Sequence, residues 1–320
     1  MHILGIDEAG YGPNLGPLVI TGSVWPLPQT ENPLETLTQR LVQSGAIAES
    51  LKEQTAGKGA VFVADSKIVY KSGSLGPLLD AVLSVLEPVR PESGWTSRNL
   101  FAALDPDSET ALNANPWDAG YCEPLTASPG TVQKFQTALA SAQLESPQLF
   151  SKVVFPQEFN ENVQRLDSKG TAHACWVLGL VRRILERLPT SEEPILVLSD
   201  KLGARNRYAS LICTIFEGTM VQTVLESAEK SEYRFLFERR TVNLSFQVRG
   251  ERFLPVALAS MTSKLLRELA MRSFNAFWQK RLSDLRETAG YPVDAKRFLA
   301  EISPLLKKYQ IPESLLWRKK

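Results

Sequence analysis

Two short apolar runs in this chain end in carboxylates: Ile3-Leu4-Gly5-Ile6-Asp7, with Glu8 beside it, and Ile195-Leu196-Val197-Leu198-Ser199-Asp200. Runs of this length, bounded by turn residues, predict buried strands. In open α/β sheets ligands bind beyond the carboxyl ends of strands. One such acid is commonly a turn or helix cap; two, each followed by a glycine-containing turn, favour a site. A further acid, Glu268, falls on a long helix predicted from Pro255 to about Leu282. It comes seven residues after Met261 and three after Leu265, on or beside the apolar stripe. An ionised carboxylate there is costly unless paired or metal-bound. Taken alone, Glu268 is accounted for by an ion pair with Lys264 or Arg272, each four residues away. Together Asp7, Glu8, Asp200 and Glu268 make an oxygen-only ligand set, which suits Mg2+ or Mn2+ rather than zinc. Two such ions about 3.5–4 Å apart activate a water and stabilise the departing oxygen of an in-line displacement. That is the chemistry of nucleases and other phosphoryl-transfer enzymes.

Other chemistries are poorly served. Cys122, Cys175 and Cys213 are far apart and form no C-x-x-C, so neither a disulfide framework nor a thiolate zinc site is written here. His2 and His173 are the only histidines. His173 starts a helical pattern and reads best as a packed or cap-proximal residue. The loop from Gly10 to Gly16 is G-x-G-x-x-x-G, not the dinucleotide fingerprint. Asp7 and Glu8 just before it would repel a pyrophosphate, and Pro13 spoils a helix start.

The elements that must position these residues follow from pattern. Ala9–Pro17 is a turn, and Leu18–Trp25 a second strand close enough to pair antiparallel with the first. An amphipathic stretch covers Leu34–Leu51, and a helix is predicted over Leu75–Leu86. From Pro88 to about Pro156 the pattern weakens into a long, polar excursion with little regular structure apart from a helix at Thr131–Leu144. A helix returns over Thr171–Leu188. Alternating residues at 233–237 and 242–248 predict a hairpin bearing Arg234, Arg239, Arg240 and Arg249. Strands and helices mixed in this order mean α/β.

Composition sets outer bounds. The 320 residues are 43% hydrophobic and 22% charged, globular values that exclude disordered and fibrous classes. No apolar run approaches the ~18–20 residues of a membrane span. Asp7 and Glu8 fall where a signal peptide would turn apolar, so a cytoplasmic protein is expected, and a monomer. The net charge of +1 hides an asymmetry: residues 1–200 carry 14 Lys+Arg against 23 Asp+Glu, and residues 201–320 carry 22 against 12. A basic half suggests a polyanionic partner, unless the two halves neutralise each other across a contact.

The motifs also resemble a known family. Gly5-Ile6-Asp7-Glu8-Ala9-Gly10-Tyr11-Gly12-Pro13, with Gly16-Pro17-Leu18-Val19 after it, closely resembles the opening signature of type 2 ribonucleases H (ribonuclease HII). Asp65-Ser66-Lys67 is similar to that family's D-S-K, and Ala259-Ser260-Met261 with Lys264, Arg267 and Glu268 to its A-S-I…A-K…R-D helix. Gly290-Tyr291-Pro292 with Asp294 resembles its G-Y-P-x-D element. The resemblance implies a ribonuclease H-like fold, a central mixed β-sheet flanked by helices. The catalytic domain would span 1–282, with 90–156 as a long insertion, and 283–320 would be a helical segment gripping duplex. It implies hydrolysis of RNA in RNA/DNA hybrids, or at ribonucleotides embedded in duplex DNA, with Mg2+ or Mn2+ held by Asp7, Glu8, Asp200 and Glu268. Substrate contacts would come from Gly10, Tyr11 and Gly12 near the ribose 2′-hydroxyl, from Ser66, Lys67, Lys201, Arg205, Arg207 and Lys264, and from Tyr291 packed on a sugar.

Three positions depart from the family. Tyr11 stands where it usually has Arg or Lys, Glu268 where ribonuclease HII has Asp and ribonuclease HIII has Glu, and Lys201 where glycine is common. The alternatives are a metal-dependent nuclease of the same fold acting on DNA or structured substrates, and a non-catalytic nucleic-acid-binding relative.

Overall fold

In the computed structural model, which describes residues 1–48, 60–71 and 73–319, the two acid-ended runs are neighbouring strands of one sheet. The strands are β1 (His2–Ala9), β2 (Leu18–Pro26), β3 (Gln148–Val154), β4 (Ile195–Asp200), β5 (Gln222–Glu226), β6 (Lys230–Phe237) and β7 (Arg240–Gln247). Their spatial order is β3-β2-β1-β4-β7-β6-β5. The β1–β2–β3 and β7–β6–β5 runs are antiparallel, whereas β1, β4 and β7 are mutually parallel. The sheet is therefore mixed. Its parallel centre brings the carboxyl ends of β1, β4 and β7 to one edge: Ile6 pairs with Ser199, and Asp200 with Gln247.

Period-two alternation then sorts the side chains of β1. Ile3 joins a core cluster with Val256, Leu258, Met261 and Leu265 of a long helix, Leu254–Gln279. Leu4 and Ile6 join a second cluster with Val177, Leu178, Val181 and Ile184 of the helix Lys169–Arg187. In chain order the helices are α1 (Pro33–Gln43), α2 (Ser66–Val69), α3 (Gly76–Leu86), α4 (Ser97–Leu104), α5 (Glu109–Ala114), α6 (Thr131–Ser141), α7 (Pro156–Leu166), α8 (Lys169–Arg187), α9 (Ala209–Ile215), α10 (Leu254–Gln279) and α11 (Pro292–Lys308). Thus α10 covers the Ile3–Gly5–Asp7 face and α8 the Leu4–Ile6–Glu8 face. Gly5 permits the first contact, because a Cβ there would sit 2.1 Å from the Pro255 carbonyl carbon. Proline in the first turn of α10 gives up only an amide that has no helical partner. Ser23 Oγ donates to the Pro255 carbonyl at 2.6 Å, tying β2 to the same point.

The stretch between Pro88 and Pro156 is more ordered than its composition predicts. It supplies α4, α5, α6 and the edge strand β3, and Leu100, Phe101, Leu104, Phe135 and Leu139 are buried in the cluster beneath α10. Its polar residues misled the reading because several are internal. Asp105, fully buried, accepts from the Val153 amide at 2.7 Å and pairs with Arg183 of α8 at 3.2 Å. A capping box between Thr96 and Asn99 starts α4. The amphipathic stretch at 34–51 forms α1 only to Gln43, and its last three residues lie outside those described. Residues 283–319 contribute α11, whose Phe298 and Ile302 pack with Phe274 and Trp278 of α10 and with Leu15 of the glycine turn. Among the described residues no helix is long and apolar enough to cross a membrane.

Asp118 lies between this stretch and α10, bonded to Asn115 and Ser273, and burial pushes its carboxyl up to about 7. The folded chain thus holds a proton that the unfolded chain releases near pH 4, so this group lowers stability as pH rises from about 4 to 7. Asp118→Asn should remove that slope. Relative to the variant, the wild type should lose about 2 kcal/mol between pH 5 and 7 in denaturant titrations. Parallel curves for the two proteins would show that Asp118 is ionised in the fold.

Candidate active site

A cavity of about 300 Å³ opens at the carboxyl edge of β1 and β4, and Asp7, Glu8 and Asp200 all line it. Asp7, on the α10 face, lies beside Ser260, while Ser263 Oγ donates to its backbone carbonyl at 3.1 Å. Protein atoms crowd its carboxyl. That desolvation, then the charge of Glu8 and more weakly that of Asp200, hold it well above the usual carboxylate range. Glu8, on the opposite face, meets His173 of α8, with Nε2 3.6 Å from its Oε2. Asp200 accepts from the Gly250 amide at 3.2 Å.

Glu268 is not part of the cavity lining. Lys264 Nζ lies 2.6 Å and Arg267 NH1 3.7 Å from its Oε1, and the Tyr70 hydroxyl donates to Oε2 at 3.0 Å. Lys264, Arg267 and Tyr70 do line the cavity, so they form the screen between it and Glu268. The Lys264 ion pair expected from spacing is therefore made; Arg272 instead comes within 3.8 Å of Glu123. Tyr70 is pushed up to about 12 by burial first and by the Glu268 charge second.

Among the described residues no group of three or more His, Cys, Asp or Glu side chains stands in metal-holding geometry. Asp7, Glu8 and Asp200 share one cavity, while Glu268 is tied to Lys264, Arg267 and Tyr70. The donors themselves still fit a hard divalent cation. They are all oxygen, and the crowded Asp7 carboxyl carries mutual repulsion that a cation would relieve.

The expected substrate contacts divide in two. Gly10, Tyr11, Gly12, Ser66, Lys67, Lys264 and Tyr291 line the cavity, with Tyr291 59% exposed. Ser66 Oγ accepts from Ser260 at 3.0 Å, and Lys67 is exposed. Arg205 and Arg207 line an open groove of about 580 Å³ that meets the cavity at Tyr11. Lys201 does not reach out. Its ammonium donates to Asn206 Oδ1, the Ser227 carbonyl and Ser231 Oγ at 2.8–3.0 Å, which occupies its three protons. Two hairpin arginines are engaged at the opposite end of the sheet. The turn between β6 and β7 lies at the amino end of β7, roughly 25 Å along the strand from the Asp200 edge. There Arg239 pairs with Glu192, and buried Arg240 donates to the Pro189 carbonyl at 2.7 Å.

Sequence reasoning missed His173, Tyr70 and Glu251 as members of the site. His173 is 2% exposed, its Nε2 has no hydrogen-bond partner among the described residues, and its ring stacks on Tyr11 with centroids 4.5 Å apart. Lys169 Nζ covers Tyr11 at 4.4 Å from the ring centroid. No local signal announces these contacts, because each partner is distant in sequence. Glu251 was legible only as the acid just before α10.

No protein-family model and no curated protein sequence matches the chain. Among solved structures it is similar to type 2 ribonucleases H. The ribonuclease H2 from Pyrococcus horikoshii OT3 matches over 99% of this chain and 92% of its own, at 17% identity and a TM-score of 0.42. A chain of the PCNA:RNase HII complex from Archaeoglobus fulgidus matches over 100% and 98%, at 14% identity and 0.41. The RNase H3 of Aquifex aeolicus matches over 99% and 71%, at 12% identity and 0.38.

The glycine turn provides a direct check of this geometry. Gly10 has φ +91°, and a Cβ there would lie 2.5 Å from Arg267 Nε, whereas a Cβ on Gly12 would meet nothing within 4 Å. Gly10→Ala should lower stability by about 1–3 kcal/mol. Gly12→Ala should stay within about 0.5 kcal/mol of the wild type. Equal melting temperatures for the two variants would contradict the turn described here.

Proposed function

We propose that the chain is a divalent-metal-dependent endonuclease of the ribonuclease H type, hydrolysing RNA in RNA/DNA hybrids or at ribonucleotides embedded in duplex DNA. The observation that carries this reading is the cavity at the β1/β4 edge, where Asp7, Glu8 and Asp200 come together beneath a glycine turn. The motif resemblance from Gly5 to Pro13 supports it. Asp7, Glu8 and Asp200 would hold Mg2+ or Mn2+, with Glu268 joining if Lys264 yields. The ion would neutralise phosphate charge and make water a stronger nucleophile.

The chain's own residues have separable tasks. Ser260 packs beside the Asp7 carboxyl, and the His173 ring stands against both Glu8 and Tyr11. Water attacks phosphorus, one P–O bond breaks, and the departing oxygen takes up a proton. The groove of Arg205 and Arg207 would carry strand phosphates, and exposed Tyr291 would stack on a sugar. A nuclease of altered substrate is the second reading. Tyr11 favours it, because its ring is engaged by His173 and Lys169 and supplies no cation. A purely binding relative is disfavoured, since carboxylates facing phosphate oppose binding unless a cation joins them.

Asp7→Asn should abolish cleavage of an RNA/DNA hybrid and of a duplex with one ribonucleotide, while duplex affinity stays equal or rises. Retained turnover would reject the assignment, and cleavage of all-DNA duplex at the same rate would select the altered-substrate reading. Tyr291→Ala should reduce cleavage at a single embedded ribonucleotide by about 5- to 150-fold, matching a loss of ~1–3 kcal/mol of stacking. Cleavage within a long hybrid should fall far less; an equal fall in both would make the tyrosine structural.

A further inference from the structure

Arg318 is 1% exposed, and its side chain is committed to the glycine turn. NH2 donates to the carbonyls of Gly10 at 2.6 Å and Pro13 at 2.5 Å. The surrounding backbone is held on both sides. Arg318 N donates to the Asn14 carbonyl at 2.7 Å, and Asn14 Nδ2 donates back to the Arg318 carbonyl at 2.9 Å. Trp317 forms an antiparallel bridge with Leu15. Asn160 of α7 closes the strap, with Nδ2 donating to the Trp317 carbonyl at 2.9 Å and Oδ1 accepting from the Lys319 amide at 2.8 Å.

A buried guanidinium ordinarily has a carboxylate partner, because desolvating an unpaired charge is costly. Among the described residues Arg318 has none, and the charged group that acts on it is a second buried cation, Arg267. Burial and that cation push it down to about 9. Its Nε and NH1 have no hydrogen-bond partner among the described residues. What the guanidinium does make are its bonds to the turn, where it satisfies two backbone carbonyls.

Peptide planarity says what that use is. In a trans peptide the carbonyl and the following amide point in opposite directions. With the Gly10 carbonyl drawn toward Arg318, the Tyr11 amide points away from it, and a positive charge behind the peptide polarises that N–H. Asn14, whose peptide is held through Pro13, donates to the Gly290 carbonyl at 2.7 Å. The amides of Tyr11 and Gly12 have no acceptor among the described residues, although both residues line the cavity.

We propose that Arg318 is a positioning residue that sets sugar specificity: by clamping the Gly10 carbonyl, with the Pro13 carbonyl as second anchor, it aims the Tyr11 amide at the 2′-hydroxyl oxygen of the ribonucleotide. This rests on the ribonuclease reading above. Discrimination between ribose and deoxyribose therefore depends on a residue that does not touch the substrate.

The test is binding in an Asp7→Asn background, by fluorescence anisotropy, of a duplex with one ribonucleotide and of the same duplex in all-DNA form. The parent should prefer the ribonucleotide duplex. Arg318→Met should cut that preference about five- to tenfold, the equivalent of one or two hydrogen bonds. Affinity for the DNA duplex and the salt dependence should hold, a pattern that simple loosening of the fold would not give. If Arg318→Met does not fold, Asn160→Ala, which keeps the guanidinium but releases the strap, should lower the same ratio. A ratio unchanged in a folded Arg318→Met, or in Asn160→Ala, overturns the inference alone. A parent without ribonucleotide preference overturns the ribonuclease reading and this inference together.

Discussion

The approach of the α10 backbone onto β1 at Gly5 is the contact from which the site takes its shape. A side chain at residue 5 would have to pass through the Pro255 carbonyl carbon, 2.1 Å away, so any larger residue would lift the helix from the sheet. With the helix seated, its phase is set. Ser260 and Ser263 fall beside Asp7, and the Ser263 hydroxyl donates to its backbone carbonyl. Lys264 and Arg267 follow within about two turns and close the cavity wall. Glu268 comes next, and the same rotation that turns Lys264 toward the cavity ties Glu268 to it.

Charge in this region is arranged in two compartments. The cavity gathers Asp7, Glu8 and Asp200, whereas the cations of its α10 wall are bound to Glu268. The result is negative potential where phosphate chemistry would need a cation, and Asp7 registers it most strongly. Behind the glycine turn the balance reverses. Arg267 and Arg318 are both buried there, and Arg318 has no acidic partner among the described residues. The turn lies between an acidic cavity and a cationic backing, which is an arrangement for presenting backbone amides.

The basic surplus of residues 201–320 is accordingly not a single surface. Arg240, Arg267 and Arg318 are internal, Lys201 is occupied by its neighbours, and Arg297 is paired with Asp294 and Glu301. Arg205, Arg207 and Arg249 remain near the site edge with exposed or partly exposed side chains. A sum of charges records how many cations there are, not which way they face.

Periodicity and local spacing determined much of this protein from the residues alone. The acid-ended strands β1 and β4, the antiparallel β2, the helices α3, α8 and α10 and the β6–β7 hairpin all lie where the apolar pattern puts them, because each is stabilised by contacts its own period predicts. The pairing of Lys264 with Glu268 was likewise legible, being a matter of one helical turn. Tertiary structure alone decided the rest. The polar stretch before Pro156 became helices and an edge strand because Asp105 and its like find partners across the fold. His173 met Glu8, and Arg318 met Gly10, across more than 160 and 300 residues of chain. Alternation sent Asp7 and Glu8 to opposite faces, a consequence of strand geometry that a list of acids does not contain. Contacts between distant segments depend on how the elements pack, and no local pattern encodes that packing.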